Sequence, residues 1–86
     1  MTESNKLRIV KYFHISCRVD LKDTPIDYET IIGWVNGSPF YQRQYNVAVE
    51  SSIAEVEAIQ TELEHHRVFE THDEYLAQLA ELKQLL

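Results

Sequence analysis

Histidine, cysteine and acidic side chains are the groups in this 86-residue sequence that could bind a metal or take part in catalysis. His65 and His66 are adjacent, so on a helix they point about 100° apart and cannot chelate one ion along a single face. His72 and its acidic neighbours do not supply the four suitably spaced ligands that a closed zinc site needs. The sequence therefore predicts no metal site and no cofactor.

The single cysteine and the glycines also argue against catalysis. Cys17 falls among apolar residues, with no neighbouring base to activate it, and is predicted to be a small buried side chain. One cysteine cannot form an internal disulfide, which favours a reducing compartment and a cytoplasmic location. Gly33 and Gly37 are the only glycines, so the sequence contains no phosphate-binding loop. We expect a protein that is not an enzyme.

Negative charge is concentrated in the second half of the sequence. Residues 1–49 carry a net charge of +1, whereas residues 50–86 carry −7. An acidic surface attracts basic proteins and repels phosphate groups and anionic lipid over about one Debye length, roughly 8–10 Å. No run of apolar residues is long enough to span a membrane. The predicted partner is a protein with a basic surface, while membranes and nucleic acid are disfavoured.

Glutamates border an apolar stripe in the segment 51–67. Its apolar residues recur at helical spacing, which predicts that one side of a helix is covered. At about 100° per residue, Glu55 and Glu62 fall on one edge of the stripe, and Glu57 and Glu64 fall on the other. The back of this helix carries short residues such as Ala54 and Ala58, so a second surface could approach closely, although alanine is also common on solvent-facing helices.

Alternating apolar and polar residues predict strands in the first half of the chain. Residues 7–21 show the period of two that is typical of a half-buried strand. Residues 22–27 predict a turn. Residues 28–35 fit either a helix or a strand that ends in the turn-forming pair Asn36-Gly37, and we interpret them as a strand. Residues 40–49 alternate again and predict another strand.

Two helices are predicted to follow the strands. Ser52 and Glu55 have the spacing of a capping box, as do Thr71 and Glu74. The predicted fold class is α+β, with a small antiparallel sheet of about three strands packed against a C-terminal helical hairpin. The chain forms one domain, with a flexible N-terminus at 1–6, a sheet region at 7–49 and two acidic amphipathic helices at 51–86.

The function predicted from these patterns is binding rather than catalysis. The leading hypothesis is a small acidic protein–protein interaction module that binds a basic partner surface. In a sharper form of this hypothesis, its glutamates imitate a nucleic acid and inhibit an enzyme such as a CRISPR or restriction nuclease. Aromatic and arginine residues near the predicted hairpin are of the types enriched at protein interfaces. The candidate partner-binding residues are Glu55, Glu57, Glu62, Glu64, Glu74, Glu81, Trp34, Tyr41, Arg43 and Tyr45.

Two other hypotheses remain open at this point. A homo-oligomer, such as a dimer joined through the C-terminal helices, would cover the leucines at 82, 85 and 86. A weak nucleic-acid binder would stack bases on Tyr41 and Tyr45 and contact a phosphate with Arg43.

Overall fold

In a computed structural model, the described part of this chain folds into α-helices. The structure describes residues 1–17, 26–67 and 72–86. Four helices occupy these ranges: α1 (Glu3–Cys17), α2 (Tyr28–Gly37), α3 (Pro39–His65) and α4 (His72–Lys83). No strand occurs among the described residues, so the predicted α+β fold with an antiparallel sheet is wrong.

The first predicted strand is wrong because residues spaced four apart fit both an alternating strand pattern and one face of a helix. Asn5, Ile9 and Phe13 are buried on one face of α1, four residues apart. Ile9 and Phe13 are also odd-numbered residues, like most of the other apolar residues of the predicted strand. The intervening Leu7 and Ile15, which a strand would bury, are 67% and 65% exposed. Residues 18–21 of that predicted strand and residues 22–25 of the predicted turn lie outside the described residues.

The strand predicted at 40–49 is wrong for the same reason. Tyr45 and Val49 are buried on α3, and Tyr41 is partly buried four residues earlier, while Arg43 and Val47 between them are exposed. The capping box predicted at Ser52 is also wrong, because α3 runs continuously through it. The Ser52 hydroxyl donates to the Ala48 carbonyl at 2.8 Å, so it bonds back into its own helix.

Residues 28–35 form a helix, so the strand interpretation was wrong and the helical alternative was correct. Asp27 caps α2, since its carboxylate accepts a hydrogen bond from the Thr30 amide at 2.8 Å. Hydrogen bonding from the Thr30 side chain, followed by this bond from its amide, holds the pKa of Asp27 below its usual value. Gly37 ends α2, Ser38 lies between the helices, and Pro39 opens α3, where its missing N–H is not needed.

α3 is the central helix on which the others pack. At about 1.5 Å per residue, its 27 residues match the 43 Å long axis of the molecule. α1 runs antiparallel to α3, because Arg8 contacts Glu55 and Ser16 contacts Gln44. α4 is also antiparallel to α3, and α2 covers the first half of α3.

The core lies between α1, α3 and α4 and extends under α2. Among the described residues, its buried apolar members are Ile9, Phe13, Ile26, Ile31, Tyr45, Ala48, Val49, Val56, Leu79 and Leu82. The start of α1 belongs to this assembly: residues 3–6, assigned by the sequence to a flexible terminus, are helical, and Asn5 is fully buried. Within the described ranges, no helix combines the length and apolarity needed to cross a membrane.

Candidate functional site

Glu55 lies at a polar junction between α1 and α3. Its carboxylate accepts hydrogen bonds from Arg8 Nε at 2.8 Å and Tyr12 Oη at 2.9 Å, and it also pairs with Lys11 Nζ. The Glu55 side chain is 25% exposed. Burial raises its pKa, but the hydrogen bonds from Lys11, Tyr12 and Arg8 outweigh burial and hold the pKa below its usual value. Glu55 is therefore committed to contacts within the fold.

The same junction continues to α4 through Asn5. The side-chain amide of Asn5 donates through Nδ2 to the backbone carbonyl of Gln78 at 3.0 Å and to Glu81 Oε1 at 2.9 Å. The side-chain oxygen of Asn5 accepts a hydrogen bond from Arg8 at 3.0 Å. Glu81 also accepts from the Thr2 amide at 2.8 Å. Burial raises the pKa of Glu81, but the hydrogen bonds from Asn5 and Thr2 outweigh burial and hold the pKa below its usual value. Glu81, like Glu55, joins helices together.

Glu57 and Glu64 lie on the edge of α3 that borders α4. The Glu57 carboxylate is 3.9 Å from Lys83 Nζ, a long ion pair between exposed groups. Glu64 Oε1 is 2.9 Å from His72 Nε2. Both glutamates are exposed, and exposed pairs of this kind contribute about 0–1 kcal/mol to stability. Their carboxylates stay accessible to a partner.

Glu62 and Glu74 are exposed in different places. Glu62 lies on the opposite edge of α3 from Glu57; its side chain is 74% exposed and contacts His66 at 3.4 Å. Glu74 lies in the first turn of α4 and is exposed. The six predicted glutamates thus divide into four accessible carboxylates and two that hold the fold together.

An apolar groove opens beside Glu62. Tyr12 of α1 forms one wall, Glu55 and Glu62 stand at the rim, and the remaining lining comes from Ala58, Ile59 and Leu63 of α3. The groove has a volume of about 370 Å³ and is an open cleft on the surface. Tyr12 was not among the candidate site residues and the groove was not predicted, because the sequence does not indicate that α1 is a helix packed against this part of α3.

The four predicted aromatic and arginine residues do not form one site. Tyr45 is buried, and its hydroxyl oxygen lies 2.9 Å from that of Tyr28. Burial, followed by this hydrogen bond, raises the pKa of Tyr45. Tyr41 and Trp34 pack together with ring centres 5.5 Å apart and with Phe13 behind them. The hairpin that was expected to gather these residues is absent, since they lie on α2 and α3.

Arg43 and Trp34 are the exposed members of that set. Arg43 makes no ion pair with any described residue. Phe40, which was not among the candidate site residues, is 56% exposed and meets the Tyr41 ring edge-on with centres 5.3 Å apart. Phe40 and Arg43 are both exposed on α3 and therefore belong to an accessible surface rather than to the core.

The C-terminal leucines, considered as a dimer contact, also divide. Leu82 is fully buried in the core, Leu85 is partly buried, and Leu86 is 64% exposed. A surface built on all three is therefore not available.

Two further features of the described residues bear on their chemistry, namely the thiol of Cys17 and the grouping of potential metal ligands. Cys17 is half-buried, and burial raises the pKa of its thiol, which disfavours the reactive thiolate. Within 1–17, 26–67 and 72–86, no three His, Cys, Asp or Glu side chains come together in a way that could hold a metal. Glu57, Glu62, Glu64 and Glu74 remain as exposed acceptors of positive charge. In comparisons with known proteins, no family model, curated protein or solved structure matches this chain.

Proposed function

We propose that this protein is a non-catalytic module that binds a basic surface of another protein through the exposed carboxylates of α3 and α4. The observation that carries the proposal is the separation of charge between the helices. Glu57, Glu62 and Glu64 of α3 and Glu74 of α4 stay exposed. The basic residues of α1 are instead occupied: Lys6 pairs with Glu29 at 3.0 Å, and Arg8 and Lys11 pair with Glu55.

The acidic surface is defined by Glu57, Glu62, Glu64 and Glu74, without Glu55 and Glu81. Lys83 and Arg67 are the only basic residues in the described ranges 50–67 and 72–86, which contain eight acidic residues. Charge of one sign raises the rate at which an oppositely charged partner associates, and salt screens the effect. This arrangement supports binding that is fast and sensitive to salt.

The spacing of the glutamates bears on the nucleic-acid mimicry hypothesis. Glu57 and Glu64 are seven residues apart, which corresponds to about 10 Å along a helix. One strand of DNA carries a charge about every 3.4 Å. The row on α3 is therefore much sparser than a phosphate backbone, which favours recognition of overall negative charge over imitation of individual phosphates.

A defined cationic probe tests the proposal. The probe is a fluorescent lysine-rich peptide of about 20 residues without helical patterning, titrated by anisotropy at increasing salt. We expect affinity that falls steeply with salt and that weakens at least tenfold in Glu57→Lys/Glu64→Lys. The matched control is Glu3→Lys/Glu29→Lys, which has the same net charge but is altered on α1 and α2. Equal losses in the two variants would refute a localised acidic surface.

A further inference from the structure

The apolar groove beside Glu62 is the feature of this molecule that points to a particular kind of partner. It lies between Tyr12 and the second half of α3, with apolar side chains inside and Glu62 exposed at the rim. Lys11 and Arg8 both pair with Glu55, the other rim carboxylate, so Glu62 is the rim carboxylate that stays exposed to a ligand. A ligand that fills this groove should carry an apolar side chain beside a cation.

The groove opens onto a face of α3 that the other helices leave uncovered. Phe40, Val47, Ala54 and Thr61 are spaced seven residues apart along this face, and all four are exposed. Ala58, which lines the groove, lies between the last two and is also exposed. At about 1.5 Å per residue, the face extends for roughly 30 Å. A repeat of seven is the spacing at which one helix packs along another.

Acidic residues border this face on both sides. At about 100° per residue, Glu50, Glu57 and Glu64 lie some 80° to one side of the face, and Glu62 lies about 60° to the other. In coiled coils, charged residues at such flanking positions select the partner. A second copy of this chain would bring acidic edges together, which opposes pairing. A helix with basic edges would instead neutralise them.

We infer that the uncovered face of α3 and its groove bind an amphipathic helix whose apolar seam is flanked by lysine or arginine. The alanines at 54 and 58 allow close approach, one apolar side chain of the partner enters the groove, and its cations meet Glu57, Glu62 and Glu64. This inference rests on the proposed function, since it names the class of partner that the acidic surface takes. It adds a requirement that the proposed function does not have, namely that the partner is helical and patterned.

Two peptides of identical composition test the requirement. One places leucines at helical spacing with lysines on both flanks, and the other is a scrambled peptide without that pattern. We expect the patterned peptide to bind at least tenfold more tightly. Ala54→Gln/Ala58→Gln fills the face and groove with polar atoms and keeps the charge, so it should remove this advantage. The control Ala77→Gln/Ala80→Gln alters two exposed alanines of α4 and should keep it.

The outcomes separate the two proposals. If both peptides bind equally and Glu57→Lys/Glu64→Lys weakens both, the acidic surface functions but the helical partner is refuted. If neither peptide binds at low salt, both proposals fail. Sedimentation of the protein alone adds a further check, because self-association that Ala54→Gln/Ala58→Gln abolishes would mean that a second copy occupies the face and would overturn the inference.

Discussion

Replacing Glu55 with glutamine should destabilise the protein because it removes the charge on which three donors converge. The amide keeps the shape of the side chain but carries no charge and presents an NH₂ group to donors. Arg8 is the partner most affected, since its side chain is only 12% exposed. Lys11 is 49% exposed, so water replaces most of what it loses. The Arg8 contact therefore dominates the expected change in stability.

The magnitude follows from the environment of Arg8. A hydrogen bond that involves a charged group contributes about 1.5–3 kcal/mol, and removing one partner of a fully buried ion pair costs about 3–5 kcal/mol. Arg8 still donates to Asn5 at 3.0 Å and to Gln78, so its charge is not left without acceptors. We expect Glu55→Gln to lower the free energy of unfolding by about 2 kcal/mol, against a total of about 4–13 kcal/mol for a domain of this size.

Urea unfolding followed by circular dichroism at neutral pH measures this change. The matched control is Glu62→Gln, one more acid-to-amide change on the same edge of α3, and it should alter stability by less than about 0.5 kcal/mol. Because the folded-state pKa of Glu55 is lowered, its contribution is present above the ordinary pKa of about 4.3 and disappears as pH falls through the folded value. The difference between wild type and Glu55→Gln should therefore shrink as the pH falls below the ordinary pKa of about 4.3. Equal losses in both variants, or a difference unchanged by acid, would refute the reasoning.

Four further substitutions test the packing and the backbone. Leu82→Ala empties a fully buried site and should lower the free energy of unfolding by about 2–5 kcal/mol, whereas the exposed Leu76→Ala should change it by less than about 0.5 kcal/mol; similar urea midpoints for the two would contradict the assignment of the core. Tyr45→Phe removes the hydroxyl that pairs with Tyr28 and should cost about 0.5–1.5 kcal/mol. Because burial raises the pKa of Tyr45, one tyrosine of the wild type should titrate above the pH range of an ordinary tyrosine in an ultraviolet pH titration. This late step should be missing in Tyr45→Phe, and loss of an earlier step instead would contradict the assignment. Arg67 has a φ of 56° just beyond α3, a backbone conformation that glycine adopts more readily than arginine. Arg67→Gly should therefore raise the free energy of unfolding by about 0.5–1 kcal/mol, and a lower melting temperature would argue against strain at this position.

The sequence predicted the C-terminal helices and the charge along them better than it predicted the first half of the chain. Glutamate positions on the edges of α3 follow from helical geometry alone, so Glu57 and Glu62 fall on opposite edges as expected. The strands failed because Ile9 and Phe13 satisfy both an alternating and a helical pattern. Only the exposure of Leu7 and Ile15 separates the two patterns, and exposure is a property of tertiary packing.

The polar junction was beyond reach of the sequence for a different reason. Asn5 lies four residues before Ile9 and eight before Phe13, which would have placed it on the buried face had α1 been recognised as a helix. Its partners Gln78 and Glu81 come from a distant part of the chain, and no local pattern pairs them. Glu55 was predicted as a surface carboxylate because its spacing alone does not reveal that α1 supplies three donors to it.

The link from Asn5 to Gln78 has a consequence for the order of events during synthesis. The two residues are 73 positions apart, so at about 5–20 residues per second the ribosome needs roughly 4–15 s to supply the partner of the Asn5 amide. Until then α1 and α3 can meet through Ile9 and Phe13, but the polar side of α1 remains in water. We expect a nascent chain that ends before α4 to be open to proteases, with protection arriving only after α4 has been translated.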